Sequence, residues 1–236
     1  MKTTLIIFGL LLTLTACDPK EEICKKQTAQ AETSEGNLET SESCVPDDTG
    51  GDEVVDLPPI EGPVEGEVPF EATLFGASAT FTNFDSADID KVQEALEHIQ
   101  KIVRTNEFRE RVLKHTYQGV LQFVDNNGLT NAQIYQKLLD GSETLNPAKN
   151  NTMDLQLELY TNNSTSTVGY TYPNTLKIWM NTKFFDRYNS AEVARNVFHE
   201  WTHKLGFGHD SSSTSRRPYS VPYGLGAIIQ DMALDL

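Results

Sequence analysis

The sequence predicts an α+β fold, and three observations carry the prediction. Apolar residues recur at helical spacing in the first part of the region after residue 70. They alternate with polar residues in its middle, and a helical pattern returns near its end. Helices and strands are therefore grouped along the chain rather than alternating one for one.

Ile89, Val92, Leu96, Ile99 and Val103 place an amphipathic helix over 86–104, and a second short helix follows over 106–115. Thr130 caps a helix over 131–140, which Gly141 ends. Met153, Leu155, Leu157 and Leu159 alternate with Asp154, Gln156, Glu158 and Tyr160, the mark of a strand with one buried face. Residues 167–172 and 175–181 read as two more strands joined across Pro173-Asn174, with Leu176, Ile178 and Met180 on one face of the latter. Ser190 is expected to cap a last helix over 191–205. These elements form one domain over 71–236, with no internal repeats. A domain of that length buries about 70% of the surface its unfolded chain exposes.

The chain has 236 residues, 34 of them acidic and 19 basic, for a net charge of −15. Residues 18–70 hold 15 acids and 3 bases, so most of the imbalance lies there. This charge excludes nonspecific binding to nucleic acid, which needs Lys and Arg to displace counterions. It equally excludes an electrostatic dock on anionic lipid. No apolar run after the first 17 residues is long enough for a transmembrane helix.

Lys2 and the apolar stretch from Leu5 to Leu14 read as a secretory signal over residues 1–16. It ends Leu14-Thr15-Ala16-Cys17, which resembles the lipobox of bacterial lipoproteins. That resemblance implies cleavage before Cys17 and acylation of its thiol. It also implies a place in the bacterial cell envelope, anchored to a membrane at Cys17 and facing outside the cytoplasm. Residues 17–70 then form the lipidated cysteine and an acidic tether rich in Ser, Thr, Pro and Gly. Such a segment cannot bury enough apolar surface to fold, and as a flexible coil it spans about 40 Å. Cys24 and Cys44 are expected to pair in an oxidising compartment.

The chemistry is concentrated in the last helix, at His199-Glu200-Trp201-Thr202-His203. Two histidines four residues apart lie one turn above the other, so both imidazoles reach one metal ion. Glu200 lies round the helix from His199 and can reach a metal-bound water without being a ligand. Ala194, Phe198, Trp201 and Leu205 make the opposite face apolar. Gly206 breaks the helix, and a sharp turn there brings back His209 as a third ligand. Asp210 follows and is expected to bond backbone near the next turn. His98 and His115 read as surface or hydrogen-bonded side chains rather than ligands, and Asp125-Asn126-Asn127-Gly128 reads as a turn rather than a calcium loop.

The extended pattern His199-Glu200-x-x-His203-x-x-Gly206-x-x-His209-Asp210 resembles that of the metzincin zinc peptidases, and its His-Asp ending the adamalysin-type members. The resemblance implies a metzincin-like domain with a small mixed sheet, an active-site helix and additional N-terminal helices. It implies one catalytic Zn2+ held by His199, His203 and His209. Glu200 would take a proton from the zinc-bound water and later protonate the leaving amine. One of the strands at 167–172 or 175–181 would form the upper rim of a cleft and pair with an extended substrate. The implied activity is zinc-dependent endopeptidase hydrolysis of a protein or peptide, by a monomer. The competing expectations are a zinc-containing binding or scaffold lipoprotein without catalysis and an amidase acting on cell-wall peptide; an intact Glu200 argues against the former.

One departure from the metzincin pattern stands out. The Met-containing turn expected after the third histidine is missing, and the chain runs Pro218-Tyr219-Ser220-Val221-Pro222-Tyr223-Gly224. Ser220 to Tyr223 is expected to take its place, with Met232 as the alternative. Tyr223 is a candidate for stabilising the oxyanion, as a tyrosine does in some metzincins.

Overall fold

The computed structural model describes residues 69–163 and 166–236. The expected leader, Cys17, Cys24, Cys44 and the expected tether up to residue 68 lie outside the described residues.

The elements in chain order are α1 (Phe70–Leu74), β1 (Gly76–Thr82), α2 (Ser86–Val103), α3 (Asn106–Leu113), α4 (Asn131–Asp140), β2 (Thr152–Tyr160), β3 (Gly169–Thr171), β4 (Lys177–Asn181), α5 (Thr182–Phe185), α6 (Ser190–Lys204) and α7 (Val221–Ala233). A single 3-10 turn, Arg217–Tyr219, precedes α7. The domain is α+β with a small mixed sheet in the order β1-β2-β4-β3. β1 and β4 each run parallel to β2, and β3 runs antiparallel to β4 at the edge.

The sheet packs through one face. Met153, Leu155, Leu157, Leu159, Ile178 and Met180 are buried, as their alternation requires. They share one core with Val92, Ile99 and Val103 of α2 and with Val197, Phe198 and Trp201 of α6. α6 packs along both α2 and α7. The metal-motif helix thus sits in the middle of the helical layer, and its free side alone faces outward.

Three of the helix starts are capping boxes, at Asp85 with Asp88, Thr130 with Gln133, and Asn189 with Glu192. The last corrects the expectation that Ser190 caps the final helix. Asn189 accepts from the Glu192 N–H, Glu192 accepts from the Asn189 N–H, and Ser190 is the first helical residue. β1 was not anticipated. Ala77, Ala79 and Phe81 do alternate with Ser78, Thr80 and Thr82, but alanine is a weak strand former and carries little apolar signal.

Gly141 ends α4 in the left-handed region, at φ 62°. A Cβ there would lie 2.5 Å from both the N and the O of Thr152, where β2 begins. Gly119, at φ 80°, has nothing within 4 Å of a Cβ. Gly141→Ala should therefore cost about 3 kcal/mol in urea unfolding, against about 1 kcal/mol for Gly119→Ala. Equal losses would mean that the α4–β2 junction yields without cost.

Candidate metal centre

α6 sets His199 one turn from His203, with the rings edge to face and their centroids 5.1 Å apart. Gly206, at φ 93°, turns the chain sharply away from the helix. The turn is held from two sides. Asn127 donates from its side chain to the Gly206 carbonyl at 2.9 Å, and the Thr144 N–H donates to the Lys204 carbonyl at 2.8 Å. His209 then returns with its ring 5.2 Å from His199 and 5.0 Å from His203. Ligand atoms of the three residues lie within 4.8 Å of one another, so the group could hold a metal ion.

Each imidazole is aimed by a backbone carbonyl. His203 Nδ1 bonds the Phe207 carbonyl at 2.7 Å, and His209 Nδ1 bonds that of Asp210 at 2.9 Å. The His199 ring is hydrogen-bonded to the backbone of Pro222. An Nδ1–H donated to a carbonyl leaves Nε2 bare, which is the form that ligates a metal. Burial pushes the protonated form of all three down, well below the ordinary range for His199 and to about 4 for His203. The donor set of three neutral, oriented imidazoles fits a borderline-soft divalent ion.

Glu200 is 5% exposed, and burial pushes its carboxyl up to about 8, opposed by the charge of Lys204. Burial pushes Lys204 down to about 8, and its ammonium binds the hairpin between β3 and β4. It donates to Thr171 Oγ1, to the Tyr172 carbonyl at 3.2 Å and to the Thr175 carbonyl at 2.5 Å. Of the two strands considered for the rim, β4 lies inside the sheet and β3 lies at its edge. Lys204 fixes that edge to the helix that carries the histidines.

The segment Ser220–Tyr223 opens α7 beside the cluster. Ser220 is fully buried, and its Oγ donates to the Arg217 carbonyl at 2.8 Å. The Tyr223 ring stands 4.6 Å from that of His199 and 4.8 Å from that of His209. Met232 lies nine residues further along the same helix, about 13 Å away along its axis. Burial raises the Tyr223 pKa, so its hydroxyl keeps its proton at neutral pH.

Asp210 accepts from Thr214 Oγ1 at 2.5 Å and thus bonds a side chain rather than the backbone expected. His98 and His115 stand apart from the group. The His115 ring stacks on Phe123 at 3.9 Å and is hydrogen-bonded to the backbone of Tyr219, while its Nε2 is buried and unpaired. Residues 125–128 do form a turn, with Asp125, Asn127 and Gly128 at positive φ.

Two residues escaped the sequence reading. Lys204 was one, and Glu143 is the other. Glu143 is fully buried, and its Oε1 accepts from Trp201 Nε1 at 2.8 Å and from the Asp154 N–H at 3.1 Å. It ties the back of α6 to β2. A lone acid in a polar loop carries no periodicity, so only the need of a buried indole N–H for an acceptor could have pointed to it.

Scans against protein-family models, curated proteins and solved structures each returned no match.

The Glu200 carboxyl links the site to stability. A carboxyl raised in the folded state stabilises it below the unfolded value near 4.5, and that contribution is lost as pH rises through about 8. Glu200→Gln removes the ionisation. In the metal-free chain its stability should match wild type near pH 4 and exceed it by about 4 kcal/mol near pH 8. Zinc should shrink the difference, because a cation favours the carboxylate. A difference independent of pH would contradict this electrostatic picture.

Proposed function

We propose that the chain is a zinc-dependent endopeptidase of metzincin type, tethered to a bacterial membrane through Cys17 and acting outside the cytoplasm. The observation that carries this reading is the convergence of three carbonyl-anchored histidines with a buried Glu200 and with Tyr223. The lipobox-like Leu14-Thr15-Ala16-Cys17 supports the tether. Among the described residues no helix is long and apolar enough to cross a membrane.

Zinc bound there would supply a Lewis acid that polarises the scissile carbonyl and acidifies water. The chain supplies the remaining chemistry. Glu200 takes a proton from the attacking water and gives it to the departing amine. Its raised proton affinity in a shielded pocket matches a group that must both accept and return a proton near neutral pH. Tyr223 keeps its hydroxyl proton and donates a hydrogen bond to the oxygen that develops negative charge. β3 offers the outer edge of the sheet to an extended peptide, held in register with α6 by Lys204. Gly169 of β3 lies so close to Asn196 of α6 that a Cβ would approach its side chain to 3.0 Å, which brings that edge directly over the metal helix.

The test is cleavage profiling of a proteome-derived peptide library with the zinc-loaded chain. Wild type should cut, and Glu200→Ala should lose about 1000-fold or more in kcat/KM. Tyr223→Phe should lower kcat about 100-fold and leave KM nearly unchanged, as expected of a contact made in the transition state. A folded, zinc-loaded chain that cuts nothing in the library would count against the reading and favour a binding module.

A further inference from the structure

Two consecutive arginines follow the turn after the metal-motif helix, and one of them is ion-paired. Arg216 donates to Asp125 Oδ1 at 2.7 Å and stands 3.9 Å from Asp210 Oδ2. It takes both nearby carboxylates. Arg217 has no carboxylate partner among the described residues. Its Nε is shielded from solvent and finds no acceptor. A shielded donor left without an acceptor is a cost, and a bound acceptor removes it.

The backbone that carries the guanidinium is held in place: the Arg217 N–H donates to Thr214 Oγ1 at 3.2 Å, and its carbonyl accepts from the Ser220 N–H at 3.1 Å and from Ser220 Oγ at 2.8 Å. The guanidinium carbon lies over the Tyr223 ring, 4.7 Å from its centroid. Tyr223 in turn touches the rings of His199 and His209. A cation without a carboxylate partner, resting on the Tyr223 ring, therefore sits one aromatic layer from the candidate metal centre. That distance is within reach of the two or three residues that flank a peptide bond placed at the metal.

The geometry points to Arg217 as the group that receives a carboxylate of the peptide substrate. A guanidinium fork matches the two coplanar oxygens of a carboxylate, and a peptide offers that group in two forms, an acidic side chain or the free C-terminus. The inference rests on the peptidase reading and deepens it: the enzyme selects peptides with a carboxylate close to the scissile bond.

Equilibrium binding tests it without turnover. The probes are short peptides that carry a metal-chelating hydroxamate at the N-terminal end, titrated into the full chain with its zinc content measured. One pair differs by Glu against Gln beside the chelating group, and a second pair by a free C-terminal carboxylate against a carboxamide. Wild type should bind the carboxylate member of at least one pair about tenfold more tightly, and the pair that discriminates identifies the source. Arg217→Gln should bring that ratio to within about twofold while zinc content and carboxamide affinity stay the same. Equal affinities within both pairs for wild type overturn the inference, as does a preference that survives Arg217→Gln. Both outcomes are independent of cleavage, so they are distinct from a failure of the peptidase reading, which would appear as a zinc-loaded chain that cuts no peptide. A chain that takes up no zinc, or that holds zinc yet binds none of the hydroxamates, also overturns the inference.

Discussion

The arrangement depends on three imidazoles held by backbone carbonyls. The carbonyls of Phe207, Asp210 and Pro222 each take a hydrogen bond from one metal-facing histidine. Two of these carbonyls belong to the turn after α6, and the third belongs to the first turn of α7. The geometry of the metal centre is therefore set by how the Gly206 turn and the start of α7 sit against α6. That explains why so many contacts elsewhere converge on those two places. Asn127 and Thr144 hold the turn, Ser220 locks the entry to α7, and the Val221 N–H donates to the Val124 carbonyl at 3.2 Å.

Helix α6 is secured on its other sides by polar contacts inside an apolar layer. Trp201 reaches Glu143, and Lys204 reaches the β3–β4 hairpin. Gly226 lets α7 approach so closely that a Cβ there would come within 3.4 Å of His199 Cβ. A cluster held by rigid elements loses little freedom when it binds an ion, which favours affinity and fixes geometry. The electrostatics agree with this design. Burial holds the histidines neutral and, without a metal, raises the proton affinity of Glu200, which the positive charge of Lys204 lowers and a bound cation would lower further, freeing the carboxylate to act as a base.

Much of this was legible in the sequence, because its signals are local. Helical spacing from Ile89 to Val103 and alternation from Met153 to Leu159 marked α2 and β2, and Thr130 and Gly141 marked both ends of α4. The spacing of His199, His203 and His209 with Gly206 between them foretold their convergence, since helix geometry and one glycine turn suffice for it. What escaped depends on long-range contacts. β1 is built mostly from Ala, Ser and Thr and becomes a strand by pairing with β2, 76 residues on from Gly76 to Thr152. The roles of Glu143 and Lys204 appear only when α6 meets a loop and a hairpin from elsewhere in the chain. The cap at Asn189 is an exception: the Asn-x-x-Glu spacing that marks it is local, and the adjacent Ser190 was read in its place.

The claim on which the account turns is that one ion is held by His199, His203 and His209. X-ray absorption at the zinc edge of the loaded chain tests it most directly. The account predicts three imidazole nitrogens at about 2.0–2.1 Å and one oxygen in a four-coordinate shell. A sulfur shell at about 2.3 Å, or fewer than three imidazoles, would contradict it.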